Sequence, residues 1–370
     1  RGIIEVPRID AVTEAVAVEG QPLRQWNDAG DVGADRQLQK LAGGLVLGLG
    51  LDIHGEERLG LFAGQDQEVV VFALEAEIKP KSFRLEVLGM PKSLFLQRLY
   101  RLFFFLDFLK IGKAVSELKD YDVIISHFYP MNLIASKAKR RFGVKYIYYN
   151  HGIGYSELFS NPLEKWYMKL FAYFNKLSLN NVDSAVSVSK FLRDELKKEA
   201  GIESEVIYNK IDSRYKKGLD GAKIRKKLGI KNNEKLLFFI GRLSPHKNVH
   251  NLLKIFDIVN HGMPNTKLLV AGKPTFRRYY KELKSDANKN VIFMEFIDDK
   301  ELPYYYAACD LYVTASLWEG FNIPIAEAQA CGKRIVAFKI GSHPEIVKKG
   351  ILVGKGNIKN FADAVLKSLK

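Results

Sequence analysis

Residues 316–332 read SLWEGFNIPIAEAQACG and directly follow an apolar run, LYVTA, at residues 311–315. The run is typical of a buried strand. The helix after it is expected to begin at Pro324 and to stop at Gly332. A strand, a loop and a helix in this order indicate an α/β domain, in which ligands bind beyond the carboxyl ends of the strands.

Two carboxylates belong to this stretch. Glu319 is predicted in the loop before the helix and Glu327 in the first turns of the helix, at the same end of the sheet. Carboxylates suit sugar hydroxyls, while backbone N–H groups at a helix start suit phosphate. The candidate ligand contacts among the neighbouring residues are Ser316, Gly320, Phe321, Asn322 and Ile323. An isolated pair of glutamates would be better explained as a loop acid and a helix-surface acid.

Strands and helices are predicted to alternate around this stretch. Apolar runs typical of buried parallel strands lie at residues 236–240, 267–271, 291–294, 311–315 and 334–338. The helices predicted between and after them are residues 248–259, 277–286, 299–308, 324–331 and 359–369. This alternation predicts a doubly wound α/β domain.

The preceding part of the chain repeats the pattern less regularly. Strands are predicted at residues 45–51, 68–74, 122–126, 145–149, 184–188 and 205–207, and helices at 56–62, 130–141 and 190–200. A polar, basic segment at residues 213–227 is the predicted boundary. We therefore expect two α/β domains, residues 44–225 and 226–370, that face one another across a cleft.

Charge is divided unevenly along the chain, whose formal net charge is +15. Residues 1–78 carry 6 Lys and Arg against 14 Asp and Glu, whereas the rest carries 51 against 28. Two interpretations of residues 1–43 stay open: an acidic extension, or a segment that is not native coding sequence. The basic remainder implies attraction to phosphorylated substrates, an acidic membrane surface or nucleic acid.

The 370 residues, 47% hydrophobic and 27% charged, are typical of a globular protein with two domains. Its two cysteines, Cys309 and Cys331, lack metal-site spacing and favour a reducing compartment. No signal peptide is recognised, and no apolar stretch reaches the roughly 18 residues that span a bilayer. A cytoplasmic location is expected.

A basic motif, GRLSPHKN, occupies residues 241–248, directly after a predicted strand. Gly241 permits a tight turn, and Arg242 and Lys247 can converge on one anionic group near a helix N-terminus. Charge-assisted hydrogen bonds contribute about 1.5–3 kcal/mol each, so the pair would stabilise a leaving diphosphate. A solvated basic loop is the alternative interpretation of this motif taken alone.

From about residue 120 to 370 the chain resembles glycosyltransferase family 4. The motifs that carry the resemblance are GRLSPHKN, residues 290–332 (NVIFMEFIDDKELPYYYAACDLYVTASLWEGFNIPIAEAQACG), GSHPEIV at 341–347 and VIYNKID at 206–212. The resemblance implies a GT-B fold, with two facing Rossmann-like domains, and a retaining hexosyltransferase of the mannosyltransferase type. Lys210 departs from the family pattern, which usually has glycine there.

The resemblance also implies roles for individual residues. Arg242 and Lys247 match the pair that holds the donor diphosphate as the sugar departs. Glu327 matches the acid that binds the donor ribose, and Glu319 the acid that contacts the transferred sugar. His151, in YYNHGIGY, resembles a histidine of the N-terminal domain that reaches the donor sugar; a structural role is the alternative.

Two further motifs are weak. Asp120-Tyr121-Asp122 has the D-x-D form of metal-dependent glycosyltransferases, but the GT-B resemblance requires no metal carboxylates, so no metal site is expected. Residues 350–355, GILVGK, are one residue short of a P-loop and lack its Ser or Thr.

Residues 91–113, PKSLFLQRLYRLFFFLDFLKIGK, combine many Leu and Phe with five basic residues. Basic amphipathic helices can lie in the membrane interface. A helix that faces the core of the N-terminal domain is an equally weighted alternative. Residues 165–176, KWYMKLFAYFNK, have a similar basic and aromatic composition. Peripheral docking on the inner face of the cell membrane is therefore a hypothesis.

The resemblance thus implies a retaining enzyme that moves a hexosyl unit, mannosyl among the candidates, from a GDP- or UDP-sugar and holds no permanent cofactor. Residues 44–225 would bind a glycan or lipid-linked acceptor, as in cell-surface polysaccharide synthesis, and residues 226–370 the donor. Two alternatives stay open: a nucleotide-sugar epimerase of related fold, and a noncatalytic membrane- or nucleic-acid-binding module. No nucleic-acid partner is expected, because no aromatic platform or recognition helix is evident.

Overall fold

The structure is a computed structural model that describes residues 2–4, 45–49, 69–74, 84–152, 156 and 161–370. The chain forms two compact units, Arg1–Asn209 and Lys210–Lys370. The division therefore falls before the segment at residues 213–227 and not at residue 225. Arg225 lies within the second unit, where its guanidinium donates to the carbonyl oxygens of Ala308 (3.0 Å) and Glu234 (2.6 Å). The helix predicted at residues 56–62 lies outside the described residues.

The first unit is built on parallel strands. Its described strands are β1 (Gly2–Ile4), β2 (Leu45–Leu49), β3 (Val69–Ala73), β4 (Arg84–Val87), β5 (Val123–Ser126), β6 (Lys145–Asn150), β7 (Ser184–Ser187) and β8 (Glu205–Val206). They form a sheet in the order β4-β3-β1-β2-β5-β6-β7-β8, with additional pairings of β3 with β2 and of β1 with β5. The described helices are α1 (Leu94–Leu102), α2 (Phe108–Glu117), α3 (Met131–Phe142), α4 (Pro162–Leu177) and α5 (Lys190–Ala200).

Residues 91–113, expected as a single helix, instead contain α1, a 3-10 turn (Phe104–Leu106) and the start of α2. The break has a local cause. A carboxylate oxygen of Asp107 accepts a hydrogen bond from the backbone N–H of Lys110 (3.1 Å), which caps a new helix. Beyond the cap, Ile111, Ala114 and Val115 of α2 face the core.

The second unit begins with α6 (Ala222–Lys227). The elements that follow are β9 (Lys235–Ile240), α7 (Val249–Gly262), β10 (Thr266–Ala271), α8 (Arg277–Asp286), β11 (Val291–Met294), α9 (Leu302–Ala308), β12 (Leu311–Thr314), α10 (Ile323–Ala330), β13 (Ile335–Phe338), α11 (His343–Ile346), β14 (Gly350–Val353) and α12 (Ile358–Leu369). All five predicted strands of this unit are present within one or two residues. The sixth, β14, was not predicted, since its GILV segment was considered as a P-loop remnant.

These six strands are all parallel and lie in the order β11-β10-β9-β12-β13-β14. This is the doubly wound order, in which connections run in opposite directions from the central pair β9 and β12. Residues of β9, β12 and β13 are buried almost throughout, as expected for parallel strands covered on both faces. The carboxyl ends of β9 and β12 form a topological switch point, where open α/β sheets bind ligands.

Candidate active site

The switch point of the second unit is occupied by the two motifs that the sequence singled out. GRLSPHKN leaves the end of β9, and the loop at residues 315–322 leaves the end of β12. The loops are tied together, because the carboxamide of Asn248 donates to the carbonyl of Ala315 (2.9 Å) and the backbone N–H of Leu317 donates to the carbonyl of His246 (2.9 Å). Residues about 70 positions apart are thereby held at one edge of the sheet.

Lys247 and Glu319 form a buried ion pair at this edge. The Lys247 ammonium donates to both oxygens of the Glu319 carboxylate, at 2.9 and 3.2 Å. Their side chains are only 14% and 10% exposed. Burial tends to raise the pKa of Glu319, but the charge of Lys247 and hydrogen bonds from Lys247 and Ser316 lower it below its ordinary value. Glu319 is therefore ionised at neutral pH and lies beside the Lys247 ammonium.

The loop after β13 fixes the backbone of Glu319. The backbone N–H of Ser342 donates to the Glu319 carbonyl (3.1 Å), and the Ser342 hydroxyl donates to the carbonyl of Phe321 (3.0 Å). Gly341 adopts φ +45°, and a Cβ there would lie 2.3 Å from the Glu319 carbonyl oxygen. Only glycine permits this approach without displacing the carboxylate.

A buried histidine supports the start of α10. The Nδ1 of His343 lies 2.7 Å from the carbonyl oxygen of Phe338 and its Nε2 lies 2.9 Å from the Asn322 carboxamide nitrogen. Nδ1 must therefore carry the proton, and Asn322 donates to Nε2. Asn322 has φ +67°, so this hydrogen bond holds a left-handed residue at the point where α10 begins. Burial lowers the pKa of His343.

Glu327 lies one turn into α10 and is also buried. Its carboxylate accepts a hydrogen bond from the Tyr306 hydroxyl at 2.8 Å. Burial and the neighbouring Glu327 charge raise the pKa of Tyr306, which stays a donor at all working pH values. The phenol thus orients one carboxylate oxygen of Glu327.

Arg242 differs from the other charged residues of the site because its side chain is exposed. No carboxylate among the described residues pairs with it. His246, between Arg242 and Lys247 in sequence, has a pKa of about 3, lowered by burial and by the charges of Lys247 and Arg242. The imidazole is therefore neutral, and Arg242 and Lys247 supply the positive charge of this loop.

A second polar cluster lies in the first unit, at the carboxyl ends of the strands of its sheet. His127 follows β5 and His151 follows the neighbouring strand β6. The Nδ1 of His127 and the Nε2 of His151 share a hydrogen bond of 2.7 Å, and the two rings stack with centroids 4.9 Å apart. Burial lowers the pKa of His151 to about 3 and that of His127 well below its ordinary value. The pair is neutral at pH 7.

Two family models match the chain, one over each unit. Residues 59–215 match glycosyltransferase family 4, and residues 220–370 match glycosyl transferases group 1. Between them they span most of the sequence. The chain belongs to glycosyltransferase family 4. These matches confirm the predicted family and the assignment as a hexosyltransferase, and the similarity to solved glycosyltransferase structures confirms the GT-B fold class.

Individual relatives are distant. A 41.2 kDa protein in the cps region of Klebsiella pneumoniae is 26% identical over 266 residues, 70% of each chain. A GDP-mannose-dependent monoacylated α-(1-6)-phosphatidylinositol monomannoside mannosyltransferase of Corynebacterium glutamicum is 25% identical, covering 83% of this chain and 82% of its own. The structure of Anabaena Alr3699/HepE with UDP and glucose superposes with a TM-score of 0.66, 23% identity and 81% coverage of both chains.

In this glycosyltransferase, Glu319 and Lys247 are brought into contact, which the sequence did not predict. Helix α10 begins at Ile323, one residue before the predicted start at Pro324. Gly332 follows α10 with φ +80°, as expected for a helix stop. Gly241 and Gly320 are buried within the two loops, and Ser316 is completely buried, with its hydroxyl 3.0 Å from that of Thr314.

Three polar residues of these clusters were not identified as candidates from the sequence: His127, Tyr306 and His343. The sequence did contain a signal for His127. It lies in SHFYP at the end of one predicted strand, just as His151 lies in NHGIGY at the end of the next predicted strand. His343 was quoted within GSHPEIV without a role. The buried Tyr306 lies in a run of three tyrosines, and the sequence alone does not show which of them faces Glu327.

Proposed function

We propose that this enzyme transfers a hexosyl unit, with retention at the anomeric carbon, from a nucleotide-diphosphate sugar to a glycan or lipid-linked acceptor. The observation that carries the proposal is the buried Lys247–Glu319 ion pair at the switch point. Arg242 lies on the same loop after β9, and Glu327 lies one turn into the helix that follows β12. Such a site combines positive charge for a diphosphate with carboxylates for hydroxyls. The name of the Corynebacterium relative, a GDP-mannose-dependent mannosyltransferase, favours a mannosyl unit, and the Anabaena structure holds UDP and glucose. GDP- and UDP-sugars are therefore the donors to test.

Lys247 is suited to bind the leaving diphosphate. An ammonium has three N–H donors, of which two are directed at Glu319, so one remains for a phosphate oxygen. The exposed Arg242 can supply a bidentate contact to the same group. Preorganised charge of this kind stabilises negative charge as it develops, without reorganisation during the reaction.

The sugar and nucleoside would be held by the carboxylates. Glu319, fixed by Lys247 and Ser342, is assigned to hydroxyls of the transferred sugar. Glu327, oriented by Tyr306, is assigned to the ribose hydroxyls. The backbone N–H groups of Gly320, Phe321, Asn322 and Ile323 are assigned to the phosphates near the start of α10.

Retention follows if the acceptor hydroxyl approaches the face from which the diphosphate departs. The bond from the anomeric carbon to the diphosphate oxygen breaks, and a bond to the acceptor oxygen forms. The departing oxygen then lies beside the incoming hydroxyl and is the nearest base for its proton. We expect a cell-surface polysaccharide or glycoconjugate precursor as the acceptor.

The test is product analysis by NMR after incubation with GDP- and UDP-hexoses, with and without an oligosaccharide acceptor. The expected result is a new glycoside with the anomeric configuration of the donor, formed only with acceptor. An altered nucleotide-sugar formed without acceptor would identify an epimerase instead. An inverted glycoside would contradict the proposed stereochemistry.

A further inference from the structure

The first unit exposes large apolar side chains on one group of adjacent elements: α1, the 3-10 turn after it, the start of α2, and α4. Leu109 is 87% exposed, Leu163 77%, and Phe95 and Phe108 69% each, with Leu106 and Trp166 more than half exposed. We call these six residues and the basic side chains beside them the docking surface. Contiguous apolar exposure of this kind marks a contact with another molecule or a membrane.

The exposure is not a consequence of missing core packing. Helix α2 buries Ile111, Ala114 and Val115, and Phe104 of the 3-10 turn is completely buried. Phe108 and Leu109 are apolar residues of the same helix that do not belong to its core face and are exposed. Between α1 and the 3-10 turn runs an open groove of about 440 Å³, lined mainly by apolar residues such as Leu96, Leu99 and Phe103.

Helix α4 belongs to the same surface. Arg98 of α1 pairs with Glu164 of α4 at 3.3 Å. Phe105 of the 3-10 turn packs on Phe174 of α4, with ring centroids 4.9 Å apart. These contacts place Leu163 and Trp166 on the same part of the unit as α1. Trp side chains favour the boundary between apolar and polar phases because the ring has both characters.

The charge of these elements is basic. Residues 91–117 and 161–178 together carry eight Lys and Arg against three Asp and Glu. Lys92, Lys169 and Lys176 are exposed, and no acidic partner is recorded for them among the described residues. Interfacial elements of peripheral proteins have this combination, because apolar side chains enter the acyl boundary while Lys and Arg meet anionic headgroups.

We propose that the docking surface binds an anionic phospholipid bilayer, with Phe95, Leu109 and Leu163 inserted into the headgroup region. Among residues 84–152 and 161–370, no helix is long and apolar enough to cross a membrane. The inference deepens the proposed function, on which its biological role rests, because a lipid-linked acceptor would lie in that bilayer. Docking itself requires neither donor nor transfer.

Flotation with phosphatidylcholine vesicles, with and without phosphatidylglycerol, tests the proposal. We expect the wild-type protein to float with the anionic vesicles. Combining Phe95→Ser, Leu109→Ser and Leu163→Ser should weaken binding at least about tenfold, because the apolar contribution is lost. The matched control is Phe296→Ser, a 73% exposed phenylalanine of the second unit, which should bind like the wild type.

A second set of variants tests the charge. Lys92→Gln, Lys169→Gln and Lys176→Gln together should abolish the preference for anionic vesicles, whereas Lys348→Gln, Lys355→Gln and Lys359→Gln, exposed in the second unit, should not. All variants should keep the wild-type melting temperature and transfer to a soluble acceptor, which separates loss of docking from loss of the transferase.

Three results would overturn the proposal. The wild type could fail to float with anionic vesicles. The apolar or charge variants could bind as tightly as their controls. Sedimentation could show that the apolar variants dissociate a dimer without changing vesicle binding, in which case a second copy of the chain covers the surface.

Discussion

At the carboxyl edge of the second unit's sheet, Lys247 and Glu319 form a buried ion pair, whereas at the same edge of the first unit's sheet His127 and His151 form a buried neutral pair. Both clusters follow the same rule of parallel sheets, in which polar residues after adjacent strands meet. Their electrostatics differ because the histidine pair is surrounded by aromatic rings, whereas the Lys247–Glu319 pair is surrounded by hydrogen-bond donors and charges. Charge is thus concentrated where a diphosphate would bind.

The largest effect is expected for Lys247→Ala. The variant removes a charge from the diphosphate site and leaves the buried Glu319 carboxylate without its partner. Turnover should fall by about 10² or more, and the free energy of unfolding should fall by roughly 3–5 kcal/mol. Steady-state kinetics and denaturant unfolding measure the two losses.

The control combines Lys247→Ala with Glu319→Gln. The neutral amide removes the unpaired charge, so stability should recover while turnover stays low. Recovery of turnover together with stability would show that Lys247 acts only as a structural partner of Glu319. The Lys247–Glu319 pair, like the histidine pair, would then be a structural contact without a role in transfer.

A smaller but cleaner effect is expected for Arg242→Ala. Because Arg242 is exposed and pairs with no described carboxylate, its loss should leave the unfolding free energy within about 0.5 kcal/mol of wild type. Turnover should nevertheless fall about tenfold or more, through the lost contact to the leaving group. Arg242→Lys should recover part of the rate. Near-normal turnover in both Arg242→Ala and Lys247→Ala would remove the basis for the diphosphate assignment.

Asn322→Ala tests how the charged cluster is positioned. The substitution deletes the donor to His343 Nε2 and places alanine at a positive φ, so we expect a loss of about 1–3 kcal/mol in unfolding free energy. Donor affinity should also weaken, because the start of α10 shifts. Asn322→Gly, which tolerates the backbone conformation, should be less destabilising. Equal stability of both variants would show that backbone strain is irrelevant there.

The buried histidines and Glu319 should respond to acid in different pH ranges. Histidines whose pKa is lowered on folding stabilise the protein above the unfolded pKa of about 6.5, and this stability is lost as pH falls below that value. Glu319, with its pKa lowered, stabilises above about 4.3 and loses its contribution at lower pH. The free energy of unfolding, measured at a series of pH values, should therefore decrease in two stages as the pH is lowered.

Variants assign the two stages. His127→Gln with His151→Gln should reduce the slope between pH 6.5 and about 4.5, to which each histidine can contribute about 1.4 kcal/mol per pH unit. His246 and His343, whose pKa values burial also lowers, account for the slope that remains. Glu319→Gln should flatten the steeper region below that. An unchanged slope in the histidine variant would show that the pair is solvated and titrates normally.

The strand pattern of the second unit could be predicted because its buried parallel strands are short apolar runs with loops between them. The contact between Lys247 and Glu319 could not, since it depends on β9 lying beside β12, which the strand order alone decides. Asp107 is an acidic residue within the apolar and basic segment 91–113, but whether it caps a new helix depends on the local backbone. His127 has no glycine or charge beside it, so only its position after β5 distinguishes it.

The most direct measurement is the melting temperature of the wild type and of Arg242→Ala with GDP-, UDP- and ADP-sugars. A donor present at about 100 times its Kd adds about 2.7 kcal/mol to the folded state. We predict that one of these donor classes raises the melting temperature of the wild type by several degrees, and that Arg242→Ala loses most of this shift. No shift with any donor, or an equal shift in the variant, would contradict a diphosphate-sugar site at the end of β9.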